Sequence, residues 1–161
     1  MDEPRWLVDE MLGRLARYLR FLGYDAEYVR GVDDEEIVAR ARREHRRLVT
    51  RDRVLSGQLP DAVLLTRTDI GGQMQELKSA VPDLRGTVRF DRCSLCNGRL
   101  AIRDELPPER AELDALPMEV RERRVALYAC VQCGQLYWEG SHTRSVRKRI
   151  EQWFSATPVD D

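Results

Sequence analysis

The stretch WLVDEMLGRLARYLRFLG, residues 6–23, joins a short apolar run to an amphipathic repeat. Trp6 to Val8 are apolar and are followed by Asp9, a pattern typical of a short buried strand. Apolar residues then recur at the spacing of a helix, and Gly23 stands where a helix would end. The repeat consists of Leu12, Leu15, Ala16, Leu19 and Leu22. A buried strand followed directly by an amphipathic helix predicts an α/β fold.

The alternation of strand and helix continues to about residue 82. Further apolar runs predict strands over residues 26–29, 48–50 and 62–65. Asp33, with Glu36 three positions later, predicts a capping box at the start of a second helix, and Gly71-Gly72 leads into another helix. Strands that alternate with helices favour a parallel sheet with flanking helices. We predict that residues 1–88 form this α/β domain.

Carboxylates follow the predicted strands. Asp9, Asp52 and Asp69 each stand just after a strand, and Asp34 opens a predicted helix. Because ligands gather at the carboxyl ends of parallel strands, these four acids are candidate catalytic residues. Oxygen ligands of this kind suit Mg²⁺ or Mn²⁺, which bind phosphate oxygens and lower the pKa of a bound water. The pattern therefore indicates metal-assisted phosphodiester hydrolysis.

Each of these acids also has a purely structural alternative. Asp9 and Asp69 are placed where a side chain can cap the following helix, and Asp34 can simply interact with a helix dipole. Glu10, Asp33 and Glu35 are adjacent reserve candidates. It is the ordered placement of the acids, rather than any single one of them, that favours a site.

All four cysteines fall in two knuckles, Cys93-Ser94-Leu95-Cys96 and Cys130-Val131-Gln132-Cys133. This spacing lets one tight turn present two thiolates to a tetrahedral ion, with Gly98 and Gly134 expected to supply positive φ angles. Four thiolates leave no open coordination position, so we predict a structural Zn²⁺ site. Paired disulfides, a redox Cys pair and an iron–sulfur cluster remain alternatives.

We predict that residues 89–161 form a zinc ribbon with an insertion and a C-terminal basic helix, and that loss of a cysteine unfolds this half alone. Arginine presents a planar fork that suits phosphate, and ordinary solvated helix faces are the alternative explanation of the basic clusters. The candidate substrate-binding residues are Arg14, Arg17, His142, Arg144 and Arg147.

The composition of the 161 residues narrows the class of protein. A hydrophobic fraction of 42% permits a buried core in the first half, and no apolar run is long enough to span a membrane. With no signal peptide before the knuckles, we expect a reducing, cytoplasmic location, where Cys-x-x-Cys pairs more often bind metal than form disulfides. Only Lys78 and Lys148 are lysines, so arginine dominates the basic residues. Nucleic-acid binding is one explanation of this excess of arginine, and the codon usage of a GC-rich genome is the other.

Several segments together resemble the Mut-seven C-terminal RNase domain family. They are residues 7–25, 33–37 and 48–52, the two knuckles, and Tyr137-Trp138-Glu139-Gly140-Ser141-His142. The resemblance covers nearly the whole chain and implies a PIN-like nuclease core followed by a zinc ribbon. Asp9, Asp34 and Asp52 fall on the positions of the PIN-like acids. The fourth acid is less well matched, and Asp69 is the candidate for it.

The resulting prediction is a metal-dependent endoribonuclease that hydrolyses RNA phosphodiesters. Because water rather than the 2′-hydroxyl attacks, the products carry 5′-phosphate and 3′-hydroxyl ends. The alternatives are a non-catalytic zinc-ribbon RNA-binding protein and a PIN-like toxin component. An aspartyl-phosphate phosphatase is disfavoured, because it would need Asp-x-Asp where this chain has Asp9-Glu10-Met11.

Overall fold

The computed structural model describes residues 3–155, and their first half folds around a four-stranded parallel sheet. The strand order is β2-β1-β3-β4, so the first strand of the chain lies inside the sheet. The predicted α/β class with a parallel sheet is therefore confirmed. The strands are β1 (Arg5–Val8), β2 (Ala26–Tyr28), β3 (Arg46–Thr50) and β4 (Val63–Leu64).

Helices pack on both faces of this sheet. Successive side chains of β1 point to opposite faces, and they are apolar on both. Trp6 and Val8 join one core and Leu7 joins the other, and all three are fully buried. Their burial on both faces explains why the strand is an uninterrupted apolar run. The helices are α1 (Gly13–Phe21), α2 (Asp34–Arg43), α3 (Arg53–Ser56) and α4 (Ile70–Ala80).

The ends of these elements differ from the predictions at three places. A 3₁₀ turn over Glu10–Leu12 precedes α1. Helix α4 begins at Ile70, so Gly71-Gly72 lie inside its first turn rather than before it. The predicted capping box is wrong: Asp33 occupies the N-cap position of α2, but its side chain makes no capping hydrogen bond. Helix α3 was not predicted because four residues are too short to show a helical repeat.

The second half carries a three-stranded antiparallel sheet in the order β5-β6-β7. Its strands are β5 (Leu100–Ile102), β6 (Leu127–Cys130) and β7 (Leu136–Trp138). The insertion between the knuckles forms α5 (Arg110–Asp114) and α6 (Met118–Arg121). Its hydrophobic core is small, with only Leu116, Val120 and Leu127 buried in it. A core of this size is too small to stabilise the ribbon without a bound metal or contacts with the first half.

The last helix, α7 (Ser141–Ser155), returns to the first half. Val146 and Ile150 are buried in the same core as Trp6 and Val8. The Trp153 ring meets that of Tyr18 edge-on, with centroids 5.0 Å apart. The terminal helix therefore packs with the α/β half, and the division of the chain at residues 88 and 89 stays a prediction.

The first cysteine knuckle is hydrogen-bonded to the edge of the parallel sheet. Asn97 is buried in a left-handed conformation (φ 67°), and its Oδ1 accepts from the Ala26 amide at 2.9 Å. Its Nδ2 donates to Asp25 at 2.8 Å. Buried Arg20 donates to the Ala26 carbonyl at 2.9 Å and to the Ser94 carbonyl at 3.1 Å. Asn97 and Arg20 thus satisfy the amide and the carbonyl of Ala26 on the open edge of β2.

Candidate active site and metal centre

Three of the four predicted acids line one cavity of about 160 Å³, which we call the acid cavity. Asp9 follows β1, Asp52 follows β3, and Asp34 is the first residue of α2. Strands β1 and β3 are parallel neighbours, so their carboxyl ends open at the same edge of the sheet. The remaining wall is formed by Glu10, Met11, Val29, Gly31, Val32 and Ile37.

Asp9 is the buried and most constrained of these acids. It is 9% exposed, its Oδ1 accepts from the Glu10 amide at 2.8 Å, and its Oδ2 accepts from the Thr50 hydroxyl at 2.7 Å. Thr50 is fully buried, and its Oγ1 also accepts from the Asp52 amide at 2.9 Å. Thr50 therefore links the two strand ends. Thr50 was not among the site residues predicted from the sequence, although its position at the end of an apolar strand, just before Arg51-Asp52, could have indicated it.

Asp52 and Asp34 are exposed. The Oδ1 atom of Asp52 accepts from the Leu55 amide at 3.0 Å and so caps α3, which occupies one of its two oxygens. Asp34 lies in the first turn of α2, where the helix dipole stabilises a negative charge. The structural alternative named for Asp34 is thus realised, and Asp52 also caps a helix, but both acids still line the shared cavity.

The carboxylates are arranged around the cavity rather than drawn into a closed cluster. Within residues 3–155, the one group of three or more His, Cys, Asp or Glu side chains with ligand atoms all within 4.8 Å of one another is the cysteine group. More widely spaced carboxylates suit a cation that keeps part of its water shell, as Mg²⁺ does. The carboxylate oxygens of these acids are hard donors, which such a cation prefers as ligands.

Asp69 lies outside the acid cavity. It is exposed and caps α4, because its Oδ2 accepts from the Gly72 amide at 2.7 Å. This hydrogen bond holds the pKa of the Asp69 carboxyl below its usual range. Glu10, a reserve candidate from the sequence, lines the acid cavity instead, and its Oε2 accepts from the Gly31 amide at 3.0 Å. The identity of a fourth catalytic acid stays a prediction.

Asp69 borders a second hollow of about 440 Å³, which we call the flanking depression. Arg14 lines it too, so this arginine lies beside Asp69 rather than in the acid cavity. The other lining residues are Met11, Leu12, Thr68, Ile70, Gly71, Gln73 and Trp153.

Three of the five candidate substrate-binding residues share a third hollow, also of about 440 Å³, which we call the ribbon groove. Arg17 contributes from α1, and His142 and Arg144 from α7, and all three are exposed. Tyr137 and Trp138 of β7 add aromatic surface. The groove therefore runs between the α/β half and the ribbon.

Arg147 differs from the other candidates because a carboxylate neutralises it. Its guanidinium donates to both oxygens of Glu139, at 3.0 and 2.7 Å. This bidentate pair raises the pKa of Arg147. A charge paired in this way attracts a phosphate less than a free one does.

The four cysteines form a group whose geometry fits zinc. The Sγ atoms of Cys93 and Cys133 lie 3.7 Å apart, and those of Cys96 and Cys130 lie 3.4 Å apart. Tetrahedral Zn–S bonds of about 2.3 Å imply sulfur separations of about 3.8 Å. All four thiols are free of disulfides. The predicted four-cysteine metal-binding group is confirmed, and its residues can hold Zn²⁺.

Burial raises the pKa of Cys96 to about 12, whereas the backbone of the second knuckle favours ionisation of Cys130. Burial opposes ionisation of Cys130, but hydrogen bonds from the Cys133 and Gln132 amides outweigh it and lower the pKa of this thiol to about 7. Gly134 has the expected positive φ of 80°. Gly98 does not; Asn97 takes the left-handed position, and a Cβ on Gly98 would come within 2.7 Å of the Cys130 sulfur. Gly98 is needed for space rather than for φ.

A family model described as Mut7-C RNAse domain matches residues 4–150, a range that includes both the acid cavity and the cysteine group. The family resemblance drawn from the sequence is thereby confirmed. No curated protein and no solved structure gives a significant match. Among the helices within residues 3–155, none has the length and hydropathy that a membrane crossing requires.

Proposed function

Since the chain belongs to the Mut7-C RNAse domain family, we propose that it is a PIN-like, Mg²⁺- or Mn²⁺-dependent endoribonuclease whose cation is held by Asp9, Asp34 and Asp52. The family points to a nuclease that acts on RNA. One observation carries the assignment of the site: acids from three separate segments line one cavity at the carboxyl edge of the parallel sheet.

The residues of the acid cavity have two roles in this proposal: some orient a carboxylate, and others supply negative charge for the cation. A bound Mg²⁺ or Mn²⁺ would supply a water of lowered pKa and neutralise phosphate oxygens. Asp9 is oriented by Thr50 and Glu10, so its carboxylate is preorganised. Asp34 and Asp52 are exposed and bring negative charge to the mouth of the cavity. Attack by water in line with the leaving oxygen gives 5′-phosphate and 3′-hydroxyl products.

The ribbon groove is the proposed path for the rest of the RNA. Arg17 and Arg144 carry exposed positive charges that attract the phosphate backbone, and Tyr137 and Trp138 offer ring surface to unpaired bases. His142 adds a polar contact at the start of α7. Arg147 contributes less, because Glu139 already pairs with it.

The cysteine group acts structurally in this proposal. Zn²⁺ bound by four thiolates has no open position for a substrate, so its role is to hold the ribbon beside the sheet. We place the protein in the cytoplasm, because four free thiolates persist as metal ligands in a reducing compartment.

A non-catalytic RNA-binding protein is the second candidate. The ribbon groove favours it, because its exposed arginines and aromatic rings lie on a surface separate from the acid cavity. The ribbon groove would then be the functional site and would retain RNA without Mg²⁺ or Mn²⁺.

A nuclease assay separates the two candidates. Single-stranded and structured RNA is incubated with the full-length protein, with and without Mn²⁺. The double variant Asp9→Asn/Asp52→Asn is compared with Asp61→Asn/Asp83→Asn, which changes two exposed acids outside the acid cavity. The proposal expects Mn²⁺-dependent cleavage that only the first pair of substitutions abolishes. Metal-independent RNA retention without cleavage would establish the binding protein instead.

A further inference from the structure

The acid cavity and the flanking depression meet at Met11, which lines both. Met11 lies two residues after Asp9, and its side chain is 61% exposed. Its thioether therefore separates the place proposed for the scissile phosphate from a second hollow. A nucleotide beside that phosphate can therefore reach this second hollow on one side of the acid cavity.

The flanking depression offers flat surfaces to a base. Trp153 of α7 contributes an indole ring, Arg14 a planar guanidinium and Met11 a polarisable thioether. Aromatic and guanidinium planes are the surfaces on which unpaired bases stack. A volume of about 440 Å³ lies within the range of small-molecule sites.

The Trp153 ring is fixed in place from two sides. It packs edge-on against Tyr18, and a Cβ on Gly71 would come within 2.8 Å of its Nε1. Only glycine at position 71 lets the indole approach α4 this closely. The ring is thus preorganised rather than free to collapse into the hollow.

Asp69 and Gln73 supply hydrogen-bond acceptors to the depression, beside the donor groups of Arg14. The buried Gln73 side chain donates from Nε2 to the Arg67 carbonyl at 3.0 Å, which fixes Oε1 as the acceptor end of its amide. The Asp69 carboxylate is held by the Gly72 amide and lies 3.5 Å from the Arg67 guanidinium. Acceptors of this kind pair with the exocyclic amino group of a base, as acidic side chains do with cytosine.

We propose that the flanking depression binds an unpaired nucleobase next to the cleaved phosphate, stacked against Met11, Arg14 and Trp153. Asp69 and Gln73 read its exocyclic amino group, so adenine and cytosine bind better than uracil. This subsite rests on the proposed function, and it makes Asp69 a substrate-recognition residue rather than a metal ligand.

Binding without cleavage tests the subsite directly. The full-length zinc-loaded protein, labelled with ¹⁵N, is mixed with the tetranucleotides rA4, rC4 or rU4 in Mg²⁺-free and Mn²⁺-free buffer. The Trp153 indole resonance, assigned through Trp153→Phe, is expected to shift with rA4 and rC4 and much less with rU4. Met11→Ala is expected to weaken rA4 binding about 2- to 10-fold. Met118→Ala, a similarly exposed methionine on α6, is the matched control and is expected to have no effect.

Kinetics provide the second readout. With Mn²⁺ present, Met11→Ala is expected to raise KM about tenfold with kcat within about twofold, and Asp69→Asn to remove the preference over uracil. The subsite would be overturned if the Trp153 resonance did not shift, or if Met11→Ala and Met118→Ala bound rA4 equally well. RNA cleavage by the same protein would still support the nuclease. A shifted Trp153 resonance in a protein that cuts no RNA would keep the subsite and reject the nuclease.

Discussion

The Thr50 hydroxyl donates a hydrogen bond to Oδ2 of Asp9 across 2.7 Å, joining the ends of two neighbouring parallel strands. The Oγ1 atom of Thr50 also accepts from the Asp52 amide, so one buried side chain links two candidate metal ligands. A buried hydroxyl that satisfies two polar partners is costly to remove. It is the clearest sign that the acids are held in place rather than merely exposed.

Replacing Thr50 with valine is expected to lower activity about tenfold or more, since Asp9 loses its orientation while the strand keeps its shape. Leaving buried polar groups unpaired should also cost about 1–3 kcal/mol of the free energy of unfolding. Steady-state rates and denaturant unfolding measure the two effects. Thr50→Ser, which keeps the hydroxyl, should restore most of the rate; no recovery would argue against the orienting role.

Asparagine at Asp9, Asp34 or Asp52 is expected to cut cleavage by orders of magnitude and leave metal-free stability level or slightly higher, because nearby carboxylates repel one another. Mn²⁺ should raise the Tm of the wild type more than that of these variants, since a ligand that binds only the folded state stabilises it. Melting curves in EDTA and in Mn²⁺ provide the measurement. A wild-type metal shift in Asp52→Asn would remove that residue from the site.

One zinc ion per chain is expected, and its loss should affect more than the ribbon. Because Asn97 accepts from the Ala26 amide and Arg20 joins β2 to Ser94, loosening the knuckle should expose the edge strand of the α/β half. In Cys130→Ser, hydrogen exchange at Ala26 should accelerate, whereas exchange at Val49, inside the sheet, should change less. The structure thus favours coupling over the independent unfolding expected from sequence.

A substitution at Asn97 separates the metal from the hydrogen bonds. Asn97→Gly keeps the left-handed backbone at φ 67° and removes the side chain. Faster exchange at Ala26 with zinc still bound is the expected result. Unchanged exchange at Ala26 in both variants would show that the two halves are independent.

Asp25 should give the protein a specific loss of stability in acid. Burial opposes its ionisation, but hydrogen bonds from Arg46 and Asn97 outweigh this and lower its pKa to about 2 from an ordinary value of 3.8. A lowered pKa stabilises the folded state above the ordinary value, and this stability is lost as the pH falls from about 4 towards 2. Asp25→Asn should cost on the order of 2 kcal/mol at pH 7, and the difference should shrink over that range. A constant difference in urea unfolding between pH 7 and pH 2.5 would contradict this origin.

Arg17→Ala and Arg144→Ala are each expected to weaken RNA retention and to reduce the salt slope of binding by about 0.7–1, because fewer counterions are released. Arg147→Ala should change the slope less, since Glu139 pairs with that arginine. Arg110→Ala, 90% exposed on α5, is the control. Binding measured across a salt series checks this, and equal slopes for all four variants would make the ribbon groove an ordinary solvated surface.

Local sequence patterns were sufficient to predict most of the helices and strands of the first half, and the cysteine group. Burial of β1 on both faces produces a continuous apolar run, and the Cys-x-x-Cys spacing brings two sulfurs together within one turn. Helix α3 was missed, because four residues are too few to show a helical period. The capping box at Asp33 was wrong, because the residue pattern permits that hydrogen bond without requiring it.

The amino-acid sequence by itself determined the parallel α/β class, the candidate acids and the four metal-binding thiols, since each depends on neighbours a few positions away. Only the tertiary structure decided which of these residues meet. Asp34 joins Asp9 and Asp52, whereas Asp69 lies in a separate hollow. Arg14 and Arg17, one helical turn apart, line different hollows, because α4 and the end of α7 frame the first, and the ribbon and the start of α7 frame the second. Such groupings depend on packing between segments distant in sequence, which no local spacing specifies.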